Sequence, residues 1–168
     1  MPEPAPPQVS ADAIPVAHTP PGGYGDTMPE PVLSTCTEPL VAGAPDLRGV
    51  WRVVHVEVDG QPAPADHRAY GHVQRIEQCG DRLVVTAGGV VHDMRCDGTE
   101  ANGVHDVAEM DFTTPITVVA SYEGGVHVLR PVGLPGIEVT RTRDGEQMVW
   151  TYLNFTARLE LVGPPEGD

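Results

Sequence analysis

The chain contains no lysine. All ten of its cations are arginine, set against 24 carboxylates, for a formal charge of −14. Such an excess repels phosphate backbones and anionic lipid surfaces, so neither nucleic acid nor a membrane is expected as a partner. The densest basic stretch, Arg141-Thr142-Arg143, is too short to track phosphates. No apolar run approaches the roughly 18 residues that span a bilayer. The N-terminal Met1-Pro2-Glu3-Pro4 has no positive region and no apolar core behind it, so no secretory signal is expected. Cysteine is scarce: Cys36, Cys79 and Cys96 form an odd set without metal-type spacing, expected to be the reduced thiols of a cytoplasmic protein. Long helical periodicity is missing as well. Only residues 63–70, after Pro62 and Pro64, have room for a helical turn or two.

What is present divides the chain in two. Residues 1–46 are rich in proline, carry carboxylates and no cation, and show neither a helical nor a strand period. By composition they are a mostly extended arm that cannot build its own core. Met28, Val32, Leu33, Leu40 and Val41 are apolar anchors that a solvated tail would not need. Residues 24–46 are therefore candidates to lie on the folded part or on a neighbouring subunit. Residues 47–163 form the folded domain, and 164–168 a short tail.

From residue 48 onward, turn signals recur at short intervals: Asp59-Gly60, Gly80-Asp81, Gly88-Gly89, Asp97-Gly98, Gly124-Gly125, Pro135-Gly136 and Asp144-Gly145. Between them lie short runs of Val, Ile, Thr and aromatics. This pattern predicts an all-β, antiparallel sandwich or barrel. Ten strands are predicted, at about 50–58, 72–79, 82–87, 90–96, 103–109, 115–122, 126–131, 136–142, 147–153 and 155–161.

The first strand opens on Gly49-x-Trp51, and the last carries Phe155-Thr156-Ala157-Arg158-Leu159. This pairing resembles the calycin superfamily: lipocalins, fatty-acid-binding proteins and their bacterial relatives. Ten strands are closest to the fatty-acid-binding branch. Residues 76–83 resemble its second hairpin, Tyr122-Glu123-Gly124-Gly125-Val126-His127 its mid-barrel turn, and 139–145 the strand and turn that carry its interior arginine. The resemblance implies an up-and-down antiparallel closed β-barrel of eight to ten strands, calycin-like. Trp51 would pack in its base with Arg158 laid across the ring, a cation–π contact that seals the end. Two features depart from the family. The connection 60–71 is too short for a helix-turn-helix lid, which predicts an open mouth or one covered by the arm. The closing Arg-x-Tyr reads Arg158-Leu159-Glu160 here, and a carboxylate in place of the phenol opposes a fatty-acid head group.

Strand residues alternate between faces. With Trp51 inward, Val53, His55 and Glu57 follow it in. The resemblance then points His72, Gln74, Ile76, Leu83, Val85, His92, Met94, His127, Leu129, Arg141, Val149, Thr151, Arg158 and Glu160 inward, and Arg75 and Glu77 toward water. So polar a lining suits a wet cavity with a polar ligand, because a buried charge is costly unless paired. The expected function is binding of a small, mainly apolar molecule with one polar or anionic group. His55, His72, Gln74, His92, His127, Arg141, Thr151 and Arg158 are the candidate ligand-binding residues. The alternative is an isomerisation or cyclisation in the same cavity, with His55, His72 and Glu57 as candidate catalytic residues. This register also places Val54, Val56, Trp150, Tyr152, Phe155 and Leu159 on an apolar outer face, a possible homodimer contact. An inverted parity of the last two strands would instead make Trp150, Phe155 and Leu159 core. Six histidines in the barrel region invite a metal or haem as a further alternative. Yet in Val91-His92-Asp93 and Val104-His105-Asp106 the adjacent Asp faces away from its neighbour's ring and cannot orient it. No metal ligand set and no cofactor are assigned.

Overall fold

A computed structural model describes residues 9–25, 27–109 and 111–165. Positions 1–8 of the arm and 166–168 of the tail lie outside the described residues. Eleven strands follow in chain order: β1 (Gly49–Val58), β2 (Gln61–Pro62), β3 (Val73–Cys79), β4 (Arg82–Ala87), β5 (Val90–Arg95), β6 (Val104–Val107), β7 (Pro115–Glu123), β8 (Val126–Pro131), β9 (Val139–Asp144), β10 (Gln147–Tyr152) and β11 (Phe155–Gly163). Ten of them form one antiparallel path, β5-β4-β3-β1-β11-β10-β9-β8-β7-β6, and the two-residue β2 pairs onto β1. The result is an up-and-down, nearly closed barrel whose two path ends, β5 and β6, face each other across a seam. Tight glycine turns make the hairpins possible. At Gly88 and Gly89 φ is 56° and 85°, the left-handed pair that a two-residue hairpin turn requires.

The base of the barrel is built on Trp51. Its ring is fully buried, and its indole N–H donates to the Leu47 carbonyl at 2.8 Å. Gln78 closes the same end, accepting from Leu47 N (2.6 Å) and donating to Pro45 O (2.8 Å) and to the Tyr122 hydroxyl (3.0 Å). The cation over the indole is Arg143 of β9, 5.4 Å from the ring centroid, and not Arg158 as the resemblance implied. Arg158 points outward, pairing with Asp144 at 2.9 Å.

Two parity shifts decide what faces in. In the β1–β11 ladder Val53 pairs with Leu159 and His55 with Arg158, so Val54 has no partner. That bulge reverses the alternation. Trp51 and Val53 are core below it, and Val56 is core above it, while His55 and Glu57 turn out. On β10 and β11 the inverted parity holds. Met148, Trp150, Phe155, Ala157 and Leu159 are buried and pack with Trp51, Ile76 and Leu83. Thr151, Thr156, Arg158 and Glu160 take the other face. Of the residues expected on an outer apolar dimer face, Val56, Trp150, Phe155 and Leu159 are thus core, and Tyr152 packs half-buried against them. Trp150→Glu or Phe155→Glu is therefore expected to give protein without a cooperative unfolding transition. A well-folded monomer from either variant, judged by near-UV circular dichroism and gel filtration, would contradict this packing.

The arm lies on the barrel. Strands β3, β4 and β5 are buried on both faces, inward by the core and outward by residues 9–46. Leu33, Val84, Val91 and Cys79 form a second apolar cluster with Ile14, Ala17, Tyr24 and Val32 against it. Of the other proposed anchors, Met28 and Val41 remain exposed. A proline-rich chain has surplus carbonyls and few N–H groups, and the barrel supplies the complement. Arg82 donates to the carbonyls of Ala11 (2.8 Å), Ile14 (2.5 Å) and Pro15 (3.4 Å), and Arg75 to those of Pro29 (2.7 Å) and Glu30 (3.4 Å). Glu77 accepts from the N–H groups of Val32 (3.0 Å) and Leu33 (2.8 Å). Arg75 and Glu77, expected in water, are both buried under the arm.

Cys36 and Cys79 are joined in a disulfide with a Cα–Cα distance of 6.1 Å, across 43 positions of sequence. This corrects the expectation of three reduced thiols: only docking of the arm on β3 brings the two together. It also removes the thiol argument for a cytoplasmic location, since such bonds persist in oxidising surroundings. Closing a loop of that length is worth ~3–4 kcal/mol in the chain-entropy picture. Cys96 stays free and buried, and burial pushes its thiol up to about 12. Among the described residues no helix is long and apolar enough to cross a membrane.

Candidate functional site

The lower barrel is filled by apolar side chains from Trp51 to Met148 and Leu159, which replaces the polar lining expected over its full height. Above this packing four strands bring polar groups together. His127 of β8 pairs in register with Arg141 of β9, and Arg141 with Trp150 of β10. From the opposite wall Gln74 of β3 accepts from Arg141 Nε at 2.8 Å. Gln74 and His127 are fully buried, and Arg141 and Trp150 nearly so.

Four of these side chains have buried atoms without a protein partner: Gln74 Nε2, Arg141 Nη1, Trp150 Nε1 and both ring nitrogens of His127. The first three are donors only, because Gln74 already commits its oxygen to Arg141. Buried polar groups are ordinarily hydrogen-bonded, so this convergence marks the interior as chemically unfinished. Arg141 carries a full charge there with no carboxylate among its direct partners. Burial brings its guanidinium down to about 10, with the Glu109 charge opposing, and it remains cationic at neutral pH.

An aromatic wall flanks the donors. His72 stacks on Trp150 (centroids 5.3 Å, interplanar angle 21°), and Arg141 lies 5.6 Å from the same ring. Phe155 meets Trp150 edge-on at 5.3 Å, and Tyr152 touches both. The connection between β1 and β3 covers this end: Ala63 and Ala69 are buried in the core, and His67 packs edge-on against Phe155 at 5.3 Å. The mouth is thus stoppered by its own short loop, neither open nor covered by the arm as expected.

Of the eight candidate ligand-binding residues, His72, Gln74, His92, His127 and Arg141 face this interior, and the Arg141 charge acts on all three imidazoles. His92 lies at the seam, its Nε2 3.0 Å from the Val107 carbonyl of β6. His55, Thr151 and Arg158 are on the outside, as is Glu57, which sits 3.8 Å from His55 with both side chains about two-fifths exposed. Their outward turn follows from the bulge and from the parity of β10 and β11. Trp150, Tyr152 and Phe155 join the site unannounced by the inherited register; their signal was the plain apolar alternation of β10 and β11. Among the described residues no group of three His, Cys, Asp or Glu side chains is placed to hold a metal ion.

The buried imidazoles make stability depend on pH. Desolvation, reinforced by Arg141, lowers His72 and drives His127 well below its ordinary 6.5; desolvation lowers His92 too. A histidine with a depressed folded pKa stays neutral in the fold while the unfolded chain takes up a proton. Its contribution is complete above 6.5 and is lost as the pH falls below. His127 alone should give a slope approaching ~1.4 kcal/mol per pH unit below that point. Glu77 acts oppositely, because burial raises its carboxyl above 4.5, and the stability it supplies is lost as the pH rises past that value. Urea midpoints between pH 7 and 5.5 should therefore fall, and His127→Gln should remove most of the fall. A flat profile for the parent protein would contradict the neutral interior.

The fold is an all-β, nearly closed antiparallel barrel, compatible with a calycin-like fold, and its interior holds a donor cluster beside an aromatic wall. Comparison with protein-family models and with curated proteins finds no match to this chain.

Proposed function

We propose that the barrel interior binds a small, mainly apolar molecule through one anionic group. The observation that carries this reading is the set of unpartnered donors on Gln74, Arg141 and Trp150 around a buried guanidinium. Donors without acceptors select a ligand that accepts, and a buried cation without a carboxylate beside it selects one that is negatively charged. A carboxylate, phenolate or sulfonate meets both conditions, whereas an amine or a neutral alcohol does not. Trp150, Tyr152, Phe155 and His72 supply the surface for the apolar part. Native mass spectrometry of freshly purified protein should detect an acidic passenger. Titration with the fluorescent anion 1-anilinonaphthalene-8-sulfonate should saturate at one site per chain. Stoichiometric binding that is unchanged in Arg141→Met would refute the reading.

Isomerisation or cyclisation of such a molecule in the same place is the second reading. Its observation is His127, held neutral with both ring nitrogens free and Arg141 paired across the strands. It requires that the passenger recovered with His127→Asn differ from that of the parent protein. Identical passengers would remove it.

A further inference from the structure

Both barrel ends are stoppered, one by Leu47 and Trp51 and the other by Ala63 and Ala69. Only one stretch of wall among the described residues lacks a strand-to-strand ladder, the seam between β5 and β6. The arm crosses it. The Thr19 hydroxyl bonds the N–H (3.0 Å) and carbonyl (3.3 Å) of Val91 on β5, while the Thr19 N–H donates to Asp106 on β6 at 2.9 Å. Two residues earlier, Ala17 N–H donates to Asp93 of β5 at 3.0 Å. A surface cleft lies on each side of this crossing. One is lined by Thr19, Asp106 and Val107, the other by Ile14, Arg82 and Met94, whose side chain also belongs to the core. Behind the seam stands His92, within the field of Arg141.

We infer that the arm is a thiol-controlled latch on this seam: reduction of the Cys36–Cys79 disulfide frees residues 9–38, parts β5 from β6 and admits the ligand to the interior. The inference rests on the interior cluster being the ligand seat. Cys36 is half-buried and Cys79 is buried, so a small dithiol attacks at Cys36 Sγ and the electron pair leaves on Cys79 Sγ. The second thiol of the reagent then displaces Cys36. The dithiol ends as a cyclic disulfide, and its two electrons and two protons end on the two cysteines. Intact, the bond holds the strap close to its seats on β3–β5. Broken, it leaves the arm held by its apolar cluster on Val84 and Val91 and by the Arg75, Glu77 and Arg82 bonds, contacts that open independently of the barrel once the tether is gone.

The test compares the oxidised chain, the dithiothreitol-reduced chain and Cys36→Ser/Cys79→Ser by hydrogen exchange, with 1-anilinonaphthalene-8-sulfonate as the probe. Amide exchange in β5 and β6 should quicken about tenfold to a hundredfold without the disulfide, while β9 to β11 stay protected. Probe uptake should quicken in step. Thr19→Val with the disulfide intact should speed the seam alone, which covers the case where the reduced chain unfolds. Seam exchange and probe uptake that are equal in oxidised and reduced protein would overturn the latch even where Arg141-dependent binding persists. A seam that opens on reduction around an interior that takes no probe would instead overturn the ligand seat and keep the gate.

Discussion

Replacing Arg82 with leucine is expected to lower the unfolding free energy by about 3–5 kcal/mol, the range for breaking a buried ion pair from one side. Arg82 is 2% exposed, and it serves two layers at once. Toward β5 it forms a two-point pair with Asp93, Nε to Oδ1 at 3.2 Å and Nη2 to Oδ2 at 2.5 Å. Toward the arm it donates to three carbonyls in the segment that prolines leave short of partners. The leucine variant strands the Asp93 carboxylate under the arm, with the Ala17 N–H as its remaining partner. Arg82→Leu combined with Asp93→Leu should recover part of the loss, because removing both charges also removes the desolvation cost. Arm docking should suffer first: residues 9–25 should become sensitive to protease before the barrel unfolds. Urea denaturation of the single and double variants measures the coupling. A single-variant loss under about 1 kcal/mol would mean that the pair is no more than a surface salt bridge in effect.

The ten strands of the barrel path were legible in the sequence because glycine turns bracket β-branched runs, and observed and expected limits differ by three residues at most; the two-residue β2 was not legible. Faces were legible where alternation is simple. His72, Gln74, His92, His127 and Arg141 sit on β3, β5, β8 and β9 or beside them, and all face the interior. β1 was not readable in this way. Val53 and Val54 are adjacent valines, either of which can be the unpaired residue of a bulge, and only the register against β11 shows that Val54 is. On β10 and β11 the local signal was sound. Phe155, Ala157 and Leu159 alternate with polar neighbours, and Met148, Trp150 and Tyr152 with Gln147, the smaller Val149 and Thr151, whereas the register that the resemblance implies turns these large apolar side chains outward. Arg75 and Glu77 read as charges for water, since a solvated strand and one covered by a carbonyl-rich arm carry the same residues. The arm partners of Arg75, Glu77, Arg82 and Asp93 lie 44–76 positions away, from Leu33 and Glu77 at the near limit to Ala17 and Asp93 at the far one. Nothing local announces a contact of that range.

Replacing Arg141 with methionine is expected to have the opposite sign from Arg82→Leu: a gain of about 1–3 kcal/mol in stability, together with loss of anion binding. Both arginines are buried, and the difference lies in what faces them. Arg82 has a carboxylate and three carbonyls, whereas Arg141 has the side-chain oxygen of Gln74, an indole ring and an unpartnered Nη1. Methionine fills nearly the same volume without a charge to desolvate. Gln74 loses its donor in exchange, an offset of about 1 kcal/mol. Arg141→Lys should be worse than either, since it keeps the buried charge and gives up the planar fork that reaches Gln74. Thermal or urea melts without ligand give the stability half of the result, and titration with 1-anilinonaphthalene-8-sulfonate gives the other. A residue kept for the fold would cost stability when removed. One kept for a ligand should cost stability while it is present, and the barrel should melt later without it. A methionine variant several kcal/mol less stable than the parent would assign Arg141 to the core and leave the donor cluster without a binding role.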